Sequence, residues 1–491
     1  MTCLPSPPRG VLRSWTVWTL AAGLLLCGWA TSASAQQQVQ IPKVEDLIGN
    51  SVSDASAANY PEVQSAIKRF FVERDVNGAR ADLEVARSKH QTLPPAEIMM
   101  AQFLALAQQV PMARAELELG VKKELEGNKP VDPEFYLIFG DVAFQERRFT
   151  DAELLFAKAE ALISDYSLNA IRKRNLNRRA LAGEAAVAEA REDWATAQKD
   201  LVAWLQIDAD SAPAHQRLGR TLFKLNKPAE AEAEFQKAAE ADKKVLPAEI
   251  MMGRLYEEAE AHTTAAKQMA KAIENLKKLP ASDKQLYVNI CLAVAQWAVQ
   301  TGDLKTAKVE ADKALQRDSS SLETQIVSGL IARLNNDWST AEADFEKAHD
   351  LSPSNFIASN NLALVLAENG AKAKDDSKLK RAKALAEVNA RQYQQNAEAI
   401  ATLGWVYYKM GKKDEAKQAI FAVANSGSVS ADSAYYVAQV LSDMGEATKA
   451  QLVLAQALNN KQPFAMRSAA ETLKKEVDKK VADEKAANDK K

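Results

Sequence analysis

Cysteine is almost absent from this 491-residue chain, with three in all: Cys3, Cys27 and Cys291. Cys3 and Cys27 lie within the first 35 residues, which read as a removable leader, so the remaining chain holds one thiol and can form no internal disulfide. Cys291 sits in the apolar run Ile290 to Val294 and reads as a buried small hydrophobe, not a reactive thiol. Aromatic residues are 7% of the chain, glycines number 18 and prolines 16, which is too few turn formers for a sheet protein of this length. Histidine is scarcer still. His90, His215, His262 and His349 are far apart in sequence with no cysteine or second histidine at ligand spacing, which argues against a metal site. No glycine-rich phosphate loop and no Gly-x-Ser-x-Gly turn occurs, so no cofactor and no catalytic residue is expected. The net charge is −2, or −4 once the leader with Arg9 and Arg13 is removed, which disfavours a general nucleic-acid binder.

The leader has the layout of a signal peptide over 1–35. Arg9 and Arg13 precede an apolar stretch from Trp15 to Ala30, and Ala33-Ser34-Ala35 supplies small residues for cleavage before Gln36. That apolar stretch is short for a membrane span, and the mature chain is expected to contain none. Retention as an uncleaved anchor and lipid attachment at Cys27 are the alternatives; Leu26 stands where a lipoprotein signal wants a small residue. Export to the periplasm or cell envelope follows, with secretion as a further possibility, and a bacterial origin is itself inferred from this leader and the style of the repeats.

What the chain has in abundance is alanine at regular intervals. Ala79, Ala113, Ala152, Ala197, Ala231, Ala265, Ala307, Ala341, Ala382, Ala416 and Ala450 form a series in which six of the ten steps are 34 residues. Twelve residues before most of them lies another small residue, among them Ala101, Gly140, Ala185, Gly219, Gly253, Ala295, Gly329, Gly404 and Ala438. Four residues after comes a large apolar one, such as Phe156, Phe235, Met269, Phe345 and Ile420. Two helices per unit explain the spacing: small residues let the backbones approach, and the large residue fills the space they leave.

The stretch Ser211–Ala238, with Leu218-Gly219, Ala231, Phe235 and Ala238, resembles the tetratricopeptide repeat family, as do Ser328–Pro353 and Thr402–Ala416. The resemblance implies an all-α solenoid of about eleven helical hairpins, forming a right-handed superhelix over residues 60–462. Residues 36–59 read as a flexible linker and 463–491 as a charged capping helix or tail. The first unit, with Ile67 in place of a small residue, reads as a degenerate cap. The longer repeat steps imply extended helices or loops near 160–178, 274–286 and 371–380.

The family resemblance also implies a binding groove lined by the first helix of each hairpin. Carried over position by position, it gives Gln216, Arg220, Arg254, Gln296, Asn360, Trp405, Tyr435 and Gln439 as groove residues, with Arg333 and Tyr408 one turn further on. Arg and amide groups suit a peptide backbone or carboxylate, whereas the aromatic rings suit either a ligand or packing between repeats. A basic stretch at Arg172, Lys173, Arg174, Arg178 and Arg179 reads as a solvated face paired with nearby acids, or as a docking site for an acidic protein or an anionic envelope polymer. The expected function is an exported scaffold that binds a protein or peptide partner of unknown identity, in envelope assembly or maintenance. A self-associating structural solenoid and an enzyme with an unrecognised site are the alternatives.

Overall fold

The computed structural model describes residues 41–127, 130–424, 429–459 and 462–488. The expected leader, its cleavage site and Cys27 lie outside the described residues. Apart from a π-turn, every regular element among the described residues is an α-helix. A short α1 (Val44–Ile48) precedes the first hairpin, which is α2 (Pro61–Lys68), the π-turn Arg69–Glu73 and α3 (Val76–Lys89). Three hairpins follow: α4 (Ala96–Leu106) with α5 (Val110–Glu126), α6 (Pro133–Gln145) with α7 (Phe149–Asp165), and α8 (Ala170–Ala190) with α9 (Trp194–Ile207). The middle hairpins are α10 (Ala212–Lys224) with α11 (Pro228–Ala241), α12 (Ala248–Glu258) with α13 (His262–Leu276), and α14 (Lys284–Thr301) with α15 (Leu304–Arg317). Then come α16 (Leu322–Leu334) with α17 (Trp338–Leu351), α18 (Phe356–Ala373) with α19 (Asp376–Gln392), α20 (Ala397–Lys409) with α21 (Lys413–Ala424), and α22 (Ala431–Asp443) with α23 (Ala447–Leu458). A final α24 (Arg467–Asn488) packs on α22 and α23 through Ala470, Leu473, Val477 and Val481.

The eleven hairpins expected from the alanine series are all present, and all eleven alanines are buried. The pairing of small with large is direct. A Cβ built on Gly219 would stand 2.9 Å from the Phe235 ring, on Gly329 2.9 Å from Phe345, and on Gly404 2.8 Å from Ile420. In the third and fourth hairpins one ring serves both: Gly140 and Gly183 each face Phe156, at 2.6 Å from such a Cβ. The longer repeat steps are absorbed chiefly by longer helices, such as the 21-residue α8 and the 18-residue α14 and α18. In the first hairpin, where Ile67 is large, the first helix runs into the π-turn, which buries Phe70 and Phe71.

Each hairpin turns through one residue in the left-handed region. Three are glycines, Gly302, Gly411 and Gly445; the other eight are Arg74, Gln108, Arg147, Glu192, Asn226, Glu260, Asn336 and Lys374. Several second helices begin with an Asp-x-x-Thr cap. Asp193, Asp303 and Asp337 accept the backbone N–H of Thr196, Thr306 and Thr340, whose hydroxyls donate to the same carboxylates at 2.7, 2.6 and 2.8 Å. These bonds to Thr hold all three carboxyls below their ordinary range.

The sequence reading of 36–59 as a flexible linker needs correction from residue 41 onward. Val44, Leu47 and Ile48 of α1 are buried in one apolar cluster with Leu93 and Val131 from the loops between hairpins. The strap then reaches the start of α8, where Asn175 Nδ2 donates to the Asn50 carbonyl at 2.7 Å and the Asn169 amide donates to that of Ser51. Three apolar residues at i, i+3 and i+4 cover the ends of hairpins that would otherwise expose them.

Candidate partner-binding face

Several first helices pack against the first helix of the next hairpin, as α6 does on α8, α12 on α14, α14 on α16, α18 on α20 and α20 on α22. No second helix packs comparably on the next second helix among the described residues. Helices that crowd together lie on the inside of a curve, so the first helices form the inner wall. Gln216 and Arg220 on α10, Arg254 on α12 and Gln296 on α14 are half-buried positions along that wall. Around them, Phe223 and Tyr256 meet edge to face at 5.1 Å, and the Trp297 indole donates to Glu257 at 3.2 Å. Burial lowers the Arg254 guanidinium from its ordinary value.

From α16 onward much of the wall is filled by the protein's own side chains, although Tyr408 and Gln439 stay half-buried. Arg333 is buried; its guanidinium donates to Asn361 of α18 and, at 2.5 Å, to Asp432 of α22, three hairpins away. Every residue from Ala358 to Ala367 of α18 is buried, Asn360 included. Trp405 is only 1% exposed. It stacks on Tyr436 at 4.5 Å and on Tyr408 at 5.1 Å, meets Tyr435 edge-on at 5.7 Å, and donates from Nε1 to Glu368 at 2.7 Å. Tyr408 donates to Asp443 at 2.5 Å and Gln439 lies on the same carboxylate at 3.4 Å. Desolvation and that carboxylate raise the Tyr408 phenol far above its ordinary value. Arg333 thus bonds across repeats, Trp405 and Tyr435 take the inter-repeat packing that was one of the two roles open to the rings, and Asn360 is buried within α18. The inner wall curves so tightly there that Arg333 and Asp432, three hairpins apart, meet.

Three arginines of the basic stretch of α8 are paired with acids, while Lys173 donates to the Ser164 carbonyl at 2.7 Å. Arg172, 1% exposed, makes two bonds to Asp132 at 2.6 and 2.7 Å, one to Glu134 at 2.7 Å and one to the Tyr166 hydroxyl at 2.8 Å. Arg179 pairs with Asp141, and Arg178 lies 3.4 Å from Asp208. Cys291 is buried and desolvation lifts its thiol to about 12, so it is no nucleophile.

One set of residues escaped the sequence reading. Three positions after the signature alanine, six second helices carry an acid: Asp82, Glu116, Asp200, Glu234, Glu310 and Asp344. Several are tied to the first helix of their own hairpin: Ser65 donates to Asp82 at 2.6 Å, Ser328 to Asp344 at 2.6 Å, and His215 lies 2.5 Å from Glu234. The repeat register that exposed the alanines would have found them one column over.

Comparison with known proteins agrees with the geometry. Two models, each of the tetratricopeptide repeat, match the chain, one at residues 212–245 and 397–420 and the other at 328–390. No curated protein matches. Among solved structures, a tetratricopeptide repeat protein from Parabacteroides merdae is similar at 14% identity, covering 61% of this chain and 98% of that one with a TM-score of 0.35. YrrB, described as a tetratricopeptide repeat protein with an unusual peptide-binding site, is similar at 24% identity, 39% and 91% coverage and a TM-score of 0.26. A thermophilic tetratricopeptide repeat protein of Thermus thermophilus is similar at 14% identity, 40% and 99% coverage and a TM-score of 0.33. Repeats of this kind generally mediate protein or peptide interaction, and typical examples are non-enzymatic scaffolds. With its repeats matched at these segments and the same small-to-large packing recurring in other hairpins, the chain is a tetratricopeptide repeat protein.

Proposed function

We propose that this chain is an exported scaffold that holds a protein or peptide partner against the inner face of its middle hairpins, in assembly or maintenance of the bacterial envelope. The observation that carries the reading is a row of half-buried polar side chains, Gln216, Arg220, Arg254 and Gln296, on three consecutive first helices. That row lies beside a C-terminal wall already filled by its own aromatics. Side chains of this kind satisfy backbone carbonyls and carboxylates without needing a deep pocket. Export rests on the composition of the leader.

Crosslinking and pull-down from the native envelope, comparing the wild type with Arg220→Glu plus Arg254→Glu, tests the binding face. A specific partner captured by the wild type and lost from the double variant is the expected result. Equal recovery by both would sink the assignment. Fractionation with N-terminal sequencing tests export, with Gln36 expected as the first residue of an envelope-located protein.

A further inference from the structure

A cleft of about 720 Å³ opens between α8, the loop leading into α10, the loop leading into α12, and the N-terminal strap. Its lining brings Arg178 and Arg179 of α8 together with Asp208, Asp210 and Asp242 of the two loops. None of the ten groove positions expected from the family resemblance lines it.

Two features point to a ligand. Trp204 and Arg172 line the cleft and are 8% and 1% exposed, yet the Trp204 Nε1 and Arg172 Nε donors have no hydrogen-bond partner. Buried donors left unmet are rare in folded proteins, and beneath a cleft they favour an occupant that brings acceptors. The second feature is the strap. The start of α8 already holds a polypeptide backbone there, through the Asn175 and Asn169 amides on the carbonyls of Asn50 and Ser51. Arg178 and Arg179 follow Asn175 at i+3 and i+4, so the same helical face continues past the strap into the cleft.

We infer that this cleft receives an extended segment of a partner polypeptide carrying both acidic and basic side chains. Its carbonyls or an acidic side chain meet the arginines of α8, and a basic side chain meets Asp210 and Asp242. The charge balance selects this class: the lining sets Arg172, Arg178 and Arg179 against Glu134, Asp208, Asp210 and Asp242. A purely anionic ligand such as nucleic acid would meet the loop carboxylates, and a purely basic one the arginines. The size lies within the range of about 300–1,000 Å³ usual for small binding sites, enough for a few residues of chain. The inference rests on the partner-binding reading but places a contact apart from the row on α10, α12 and α14.

The test uses the full chain and an immobilised array of short extended peptides in four classes: basic, acidic, mixed-charge and uncharged. Mixed-charge peptides are expected to bind best. Arg178→Glu should weaken them about ten-fold, and Asp210→Lys plus Asp242→Lys should move the preference to acidic peptides. Trp204→Phe keeps an aromatic ring but removes the Nε1 donor, and should weaken binding several-fold while circular dichroism shows the helix content unchanged at the assay temperature. Binding that ignores all of these changes, or a wild type that prefers no class, overturns the proposal. If peptides are lost instead from the Arg220→Glu plus Arg254→Glu chain, the cleft is wrong and the partner-binding reading stands. If no peptide of any class binds, the cleft fails, and the envelope pull-down still decides the broader reading by itself.

Discussion

At the scale of single residues, the hairpin turns hold strain that side chains do not explain. Gly302 and Gly411 have positive φ, and a Cβ on either would meet nothing within 4 Å, so the glycine is needed for its backbone alone. Gly411→Ala should therefore destabilise its hairpin by about 1 kcal/mol, read by faster amide exchange in α20 and α21. Gln108→Gly and Glu192→Gly should do the reverse by roughly 0.5 kcal/mol, the relief of left-handed strain less the entropy of a freer unfolded chain. Glu184 gives a pH signature. Burial, helped by Glu160 and Asp200, lifts its carboxyl from 4.5 to about 7. A carboxyl raised by folding stabilises fully below its unfolded value and loses that contribution as pH climbs through the folded one. Glu184→Gln should thus raise the unfolding midpoint near pH 8 and leave it unchanged near pH 4, in paired thermal scans. The sequence disclosed the small-to-large pairs, because their spacing records them. It did not disclose Gln108, Arg147 or Glu192 as turn residues, since hydrogen bonding of the flanking helices imposes their conformation and no local preference does.

At the scale of elements, repeat spacing alone placed eleven hairpins, and the capping aspartates fall where second helices begin. Asp337→Ala removes both bonds to Thr340 and should cost about 1 kcal/mol, measured as loss of protection at the start of α17. The strap was hidden for a plain reason: its apolar content is three residues in one short turn, below what periodicity can register, within an otherwise polar stretch. Ile48→Ala should cost about 2–5 kcal/mol. Amide exchange should then rise in the hairpins the strap spans and stay unchanged in those from α14 onward, since a solenoid transmits little beyond its neighbours.

At the scale of the whole molecule, curvature decides which inner residues remain reachable, and curvature accumulates from small rotations that no single repeat records. Family position put Trp405 and Tyr435 on the inner wall; the tight turn of the last four hairpins then covered them. The Arg333 to Asp432 pair is the clasp of that turn, and Asp432 also accepts the Met466 backbone N–H at 2.9 Å. Asp432→Ala leaves a guanidinium buried with one partner fewer and should cost about 3–5 kcal/mol, seen as an early transition in denaturant and a larger radius by X-ray scattering. Arg333→Met with Asp432→Leu should recover most of that loss, because an apolar pair needs no desolvation of charge.

Phe156 has a mechanical consequence. Because its ring fills the hollows left by both Gly140 and Gly183, the third and fourth hairpins share one keystone. Drawn out from its two ends, a rod of this build lengthens in even steps as hairpins peel away singly. Here two of those steps fuse into one longer jump at higher force.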